Sequence, residues 1–233
     1  MNARHVQLQE LFTWSMRERA PGRILDIGCG SGVMSSFLTR FGDVTGIDFS
    51  APAIAIASRM IPTGSFRVAT VDEIDPAWPF DVVTLFDVIE HIPQDDRSGF
   101  LARAFDLVAP GGLAFLSSPH PFHTRWLRAE HPELLQIVDE VVEPADVMAA
   151  ASEHGLEPVQ YCTFSISEPR QYQAFAFIRP GASDATPSLA PGARRRLRWL
   201  GNPLTRPLRR EVIARTAARR GDRALAREIR RQR

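Results

Sequence analysis

The sequence predicts an open α/β sheet with helices on both faces, and three observations predict it. A short apolar run, Arg23 to Ile27, ends in the glycine turn Gly28-Cys29-Gly30-Ser31-Gly32, after which the chain reads as a helix. A second short run ends in an acid, Asp48, one strand–helix unit further on. A third, Phe80 to Phe86, is almost continuously apolar, as a central parallel strand covered on both sides must be. The 233 residues leave room for one sizeable core and an appendage.

Taken in order, residues 5–20 carry Val6, Leu8, Leu11, Phe12 and Met16 at helical spacing, so a helix precedes the sheet and covers its ligand side until Pro21-Gly22 ends it. Glycines at alternate positions of the next turn let the backbone approach a ligand closely. A dinucleotide fingerprint would need glycine at 33, but Val33 stands there and begins a helix that runs to Phe41. Asp43 to Asp48 forms the next strand; Ser50 caps the helix at 53–60, with Pro52 in its opening turn. The spacing from Asp26 to Asp48 is the one at which a βαβ unit sets an acid over the ribose of a bound nucleoside. Ser65 to Ala69 is a third strand.

The apolar Phe80–Phe86 strand runs into Asp87-Val88-Ile89-Glu90-His91, polar residues beyond its carboxyl end, where ligands of open α/β sheets lie. A helix over 94–108, the turn Ala109-Pro110-Gly111-Gly112 and a strand from Leu113 to Ser117 follow. Residues 119–142, with His120, His123 and Trp126, form an insertion of the kind that serves as a lid or substrate wall. A helix at 145–154 and strands at 156–166 and 171–179, joined by a turn at Glu168-Pro169-Arg170, complete a domain spanning 1–180.

Beyond it, the Ala-, Ser- and Pro-rich stretch 181–192 reads as a linker and 193–233 as an Arg-rich helical tail. Residues 181–233 hold 15 Arg against 4 acids, whereas residues 1–180 hold 13 Arg against 23 acids. A basic amphipathic helix suits an anionic membrane surface, RNA or the acidic body of the protein itself. No apolar run is long enough to span a membrane and the N-terminus carries no secretory signal, so a cytoplasmic protein is expected. The 2 cysteines are too few for a disulfide framework or a zinc site.

The D-x-G-x-G-x-G loop, Asp48, the F-D-V-V…D-V-I-E-H-I run and the A-P-G-G turn, in this order, resemble class I S-adenosylmethionine (SAM)-dependent methyltransferases over residues 20–180. The resemblance implies a Rossmann-like sheet of about seven strands, mostly parallel with an antiparallel last strand. It implies SAM as cofactor and a binding set of Asp26, Gly28, Cys29, Gly30, Gly32, Asp48, Phe49, Asp72 and Phe86. Many members place an acid directly after the third strand to accept from the adenine amino group. Here Thr70 stands nearest that place, so either Asp72 bends back or a backbone group makes the contact.

Within the family, Asp87-x-x-Glu90-His91 is similar to the E-x-x-E-H segment of the ubiquinone-pathway O-methyltransferases, with Asp in place of the first Glu. That similarity implies Mg²⁺ held by Asp87, Glu90 and His91; in members without a metal Glu90 and His91 hold the loop or touch substrate. A phenol is mostly protonated at neutral pH, so a base or cation would help to generate the oxyanion, and His91, His120 and His123 are the candidate bases. The expected reaction is O-methylation of a small or lipid-like aromatic or secondary-metabolite substrate. The alternatives are an RNA methyltransferase using the basic tail and a SAM-binding protein without catalysis. Nucleic acid is the weaker reading because the chain has no N/D-P-P-Y/F tetrapeptide and neither Cys follows a proline.

Overall fold

The computed structural model describes residues 2–181, apart from 18, 21, 137 and 138. The linker and Arg-rich tail expected beyond Gly181 lie outside the described residues. The apolar runs become strands β1 (Gly22–Ile27), β2 (Gly42–Asp48), β3 (Ser65–Val68), β4 (Phe80–Phe86), β5 (Val108–Pro119), β6 (Glu157–Phe164) and β7 (Tyr172–Ile178). They form one sheet in the order β3-β2-β1-β4-β5-β7-β6. The first five are parallel, and β7 runs antiparallel to both of its neighbours.

Strand alternation distributes the side chains between two cores. On one face Ile24, Val44, Val82 and Phe115 pack against α1 (Ala3–Met16) and α2 (Val33–Leu38). On the other, Leu25, Ile47, Val83 and Leu116 pack with α4 (Gln94–Asp106) and α6 (Pro144–Glu153), while α3 (Ala51–Met60) covers the β2–β3 edge. Phe12 is the keystone of the first core. It is fully buried, with ring centroids of Phe37, Phe41 and Phe115 between 5.2 and 5.9 Å away in edge-on geometry.

Ser50 caps α3 as expected, its side chain accepting from the Ala53 N–H. The Ala109–Gly112 turn is absorbed as an irregularity within β5, because the register with β4 shifts between Phe80 and Val82. The insertion at 119–142 is partly helical, forming α5 (Pro121–Glu130) and a short 3-10 turn at Pro132–Leu134. Among the described residues no helix is long and apolar enough to cross a membrane.

Candidate functional site

The carboxyl ends of β1, β2 and β4 define the site. The β1–α2 turn carries Gly28, Gly30 and Gly32 at φ of 69, 53 and 86°, a left-handed backbone that glycine adopts without penalty. A methyl group on Gly28 would come within 2.5 Å of the Val88 side chain, whereas one on Gly30 would meet nothing within 4 Å. The turn is thus packed on its inner side and open on its outer side.

Asp48 at the end of β2 accepts from the Gly30 N–H at 2.9 Å and from the Ser50 N–H at 2.8 Å. One carboxylate therefore fixes the glycine turn to the start of α3, a role that spacing alone did not reveal. Asp26 is fully buried and accepts from Ser35 Oγ at 2.6 Å and Thr84 Oγ1 at 2.8 Å. Burial outweighs those two hydrogen bonds and raises its pKa to about 6. Cys29 is buried in the turn and its thiol is pushed up to about 12, chiefly by burial, which makes it an inert packing residue.

Two cavities meet here. The larger, about 930 Å³, is mainly apolar, lined by Ile27, Ile47, Ala69, Val71 and Phe100, with Asp48 at one end and Phe49 at its rim. Phe49 is 86% exposed, an unusual position for a phenyl ring on a protein surface. The smaller, about 350 Å³, is mixed in character and is lined by Asp26, the glycine turn, Phe86, Glu90 and residues of α1, α5 and β7. Gly28, Asp87 and His91 belong to both walls. Asp87 adopts φ 55° and is held there by Ser117, whose Oγ donates to it at 2.8 Å, and by Arg4 Nη1 at 3.1 Å.

The expected bases separate. His123 lines the smaller cavity, stacked on Trp126 at 5.5 Å, and burial lowers its pKa, so it is neutral at pH 7. His91 also lines it, with Nδ1 3.3 Å from Asp139 Oδ1. His120 does not. Its Nδ1 accepts from the Phe122 N–H at 3.1 Å as the cap of α5, and the ring lines a different surface pocket beside Arg125, Glu143 and Arg170. A histidine before a proline at a helix start is used for capping, and that withdraws it from the cleft.

Asp72 also departs from expectation. It lies at the exposed rim of the larger cavity and pairs with Arg103 at 3.2 Å, while the Thr70 N–H donates to Glu73. The residues expected to hold Mg²⁺ do not fit one. Among the described residues no group of three or more His, Cys, Asp or Glu is arranged for a metal ion. Asp87 is committed to Arg4 and Ser117, His91 faces Asp139, and burial, reinforced by Asp87, raises the Glu90 pKa well above the usual carboxylate range. A carboxyl held toward its neutral form is a poor ligand for a hard cation.

Arg4, His5, Asp139 and Tyr172 line the smaller cavity without having been singled out in the sequence. Placing the first helix on the ligand side was the available signal. The Asn2–His5 capping box then fixes the opening turn of α1 at the cleft.

A family model described as a methyltransferase domain matches residues 5–169, most of the chain. The chain belongs to the class I SAM-dependent methyltransferases. It is 32% identical over 152 residues to the ubiquinone biosynthesis O-methyltransferase of Bordetella avium, an alignment covering 58% of this chain and 62% of that protein. It is 32% identical over 171 residues to the enzyme of the same name from Colwellia psychrerythraea, covering 66% and 69%. The chain therefore spans less than two thirds of the first relative's length. Among solved structures, the N-methyltransferase NodS of Bradyrhizobium japonicum, in complex with S-adenosyl-L-homocysteine (SAH), superposes with a TM-score of 0.63 at 20% identity, covering 76% of this chain and 86% of that one. Magnesium protoporphyrin IX methyltransferase from Synechocystis, with bound SAH, gives 0.63 at 16% identity, covering 76% and 83%. These two likenesses concern the fold.

Proposed function

We propose that the protein binds SAM across the two cavities and methylates a hydroxyl of a small or lipid-like molecule. The observation that carries this reading is the junction at Gly28, Asp87 and His91, where a mainly apolar chamber meets one of mixed lining that gathers the carboxyls of Asp26, Asp87 and Glu90. The larger cavity would take the adenine between Ile47, Ala69 and Val71, with Phe49 closing over it and the free lone pairs of Asp48 accepting from the ribose. The polar end of the cofactor would then lie along the open side of the glycine turn, toward Asp26.

When bound, SAM supplies an electrophilic methyl group on a sulfonium, and the C–S electron pair passes to sulfur as the group leaves. The protein's own part is to orient, to exclude water and to handle one proton. Leu8, Met34, Phe86 and Leu127 give the smaller cavity its apolar lining. The acceptor oxygen loses its proton to a histidine; the position of His123 on the wall of the smaller cavity and its lowered pKa support it as that base, with His91 second. Names of relatives support oxygen as the acceptor atom. A cytoplasmic location is consistent with this reading.

Transfer of tritium from labelled SAM into an extract, partitioned between organic solvent and RNA, tests the function. Label in the organic phase is expected, and label in RNA would favour the alternative. At saturating SAM, His123→Ala is expected to lower kcat by at least about a hundredfold, and His120→Ala to leave it within about twofold of wild type. Equal rates for all three proteins would leave positioning alone as the mechanism.

A further inference from the structure

Nearly every polar group at the junction has a partner within the protein. Asp26 is held by Ser35 and Thr84, Asp48 by two backbone N–H groups, Asp87 by Ser117 and Arg4, and His91 by Asp139. Among the described residues only two buried side-chain polar atoms lack a partner, Arg4 Nε and Glu90 Oε2. They belong to different elements, the first turn of α1 and the segment after β4, and both residues line the same 350 Å³ cavity. Buried donors and acceptors left unpaired are rare and unfavourable, so a coincident pair on two residues that line one cavity is a place for an entering ligand to complete the hydrogen bonding.

The two atoms are complementary. A guanidinium Nε–H can only donate, and a carboxyl oxygen can accept from a hydroxyl. The charge of the lining selects further. Asp87 and Asp139 line the cavity, with Asp26 and Glu90 beside them drawn toward their neutral forms by burial, against a single guanidinium that is already paired with Asp87. A second anion would face like charges in a shielded space. A substrate amine could satisfy Glu90 but would leave Arg4 Nε unpaired.

Resting on the SAM-dependent reading above, we propose that Arg4 Nε and Glu90 Oε2 form a two-point recognition site for an uncharged acceptor bearing a hydroxyl and a second oxygen. A hydroxyl other than the one that gives its proton to His123 donates to Glu90, and the second oxygen accepts from Arg4. Tyr172 supports the arrangement, since the Arg4 guanidinium lies over its ring at 5.4 Å to the centroid. The site discriminates by leaving its own buried atoms unpaired when the wrong compound enters, which rejects analogues more strongly than apolar fit can.

Calorimetry on the full chain, first with SAH and then with the SAH-loaded protein and three probes, tests this. The probes are 3-hydroxybenzamide, uncharged with both features, 3-hydroxybenzoate, which adds a negative charge, and phenol, which lacks the second oxygen. The amide is expected to bind about tenfold more tightly than phenol and than the benzoate. Arg4→Met should reduce the amide to within about twofold of phenol, and Glu90→Met should weaken amide and phenol alike by about tenfold. Arg4→Lys, which keeps a cation for Asp87, should repeat the loss of preference. Tightest binding of the benzoate, an equal effect of Arg4→Met on amide and phenol, or no binding of any probe at millimolar concentration would overturn the proposal. The first titration separates the two readings. Failure to take up SAH removes the cofactor assignment, whereas uptake of SAH without the amide preference removes only the recognition site.

Discussion

At the scale of single residues, Asp26 and Asp48 are carboxylates at neighbouring strand ends with opposite physical situations. Asp48 is satisfied by two backbone N–H groups, so Asp48→Ala removes both the tie between the glycine turn and α3 and the acceptor proposed for the ribose. Calorimetry should show SAH affinity falling by about thirtyfold or more, the equivalent of about 2 kcal/mol. Asp26 has no such backbone ties, and burial raises it to about 6. The folded state then holds that proton more tightly than the unfolded chain does. Between about pH 4 and about pH 6 the ligand-free protein should lose stability as the pH rises, with little further change above. Cofactor affinity should run the other way, increasing through about pH 6 as Asp26 ionises toward a cationic amino group. Urea midpoints and SAH dissociation constants measured across this range, with Asp26→Asn flattening both profiles, check the pair of slopes.

At the scale of elements, α1 links stability to the cleft, because Phe12 anchors it in the aromatic core while Arg4 and His5 line the smaller cavity. Phe12→Ala should cost about 3–5 kcal/mol in urea unfolding. Gly99, inside α4, has nothing within 4 Å of an added Cβ and no unusual backbone angle, so Gly99→Ala should stabilise by about 0.5–1 kcal/mol. The elements were largely legible in the sequence because their signals are local: the glycine turn, the apolar run of β4, Ser50 as a cap. The capping role of His120 was not, since it depends on where α5 begins inside what read as an irregular insertion. Nor was the failure of Asp87, Glu90 and His91 to converge on a metal. Spacing placed them together in the chain, but Arg4, Ser117 and Asp139, from distant positions, supply the partners that take up Asp87 and His91.

At the scale of the whole molecule, the cleft is assembled from residues as distant as Arg4 and Tyr172, so occupancy by cofactor should be felt globally. SAH at about a hundred times its dissociation constant should stabilise the fold by about 2.7 kcal/mol, raising the thermal midpoint by roughly 5–10 °C, while NAD at the same concentration should leave it unchanged. The parallel sheet and the antiparallel β7 followed from the family resemblance, and spacing put Asp48 at the end of the strand after the glycine turn, but not its tie to that turn. The recognition pair followed from neither, because an unpaired atom is defined by what the rest of the fold fails to put beside it.

The sheet's two borders carry a further consequence. β3 is only four residues long and bears Arg67, and β6 is interrupted at Pro158–Gln160, where proline has no N–H to offer. Neither border offers a long, flat template for another chain to extend. Strand addition is therefore disfavoured at both borders, and concentrated preparations should resist fibrillar precipitation.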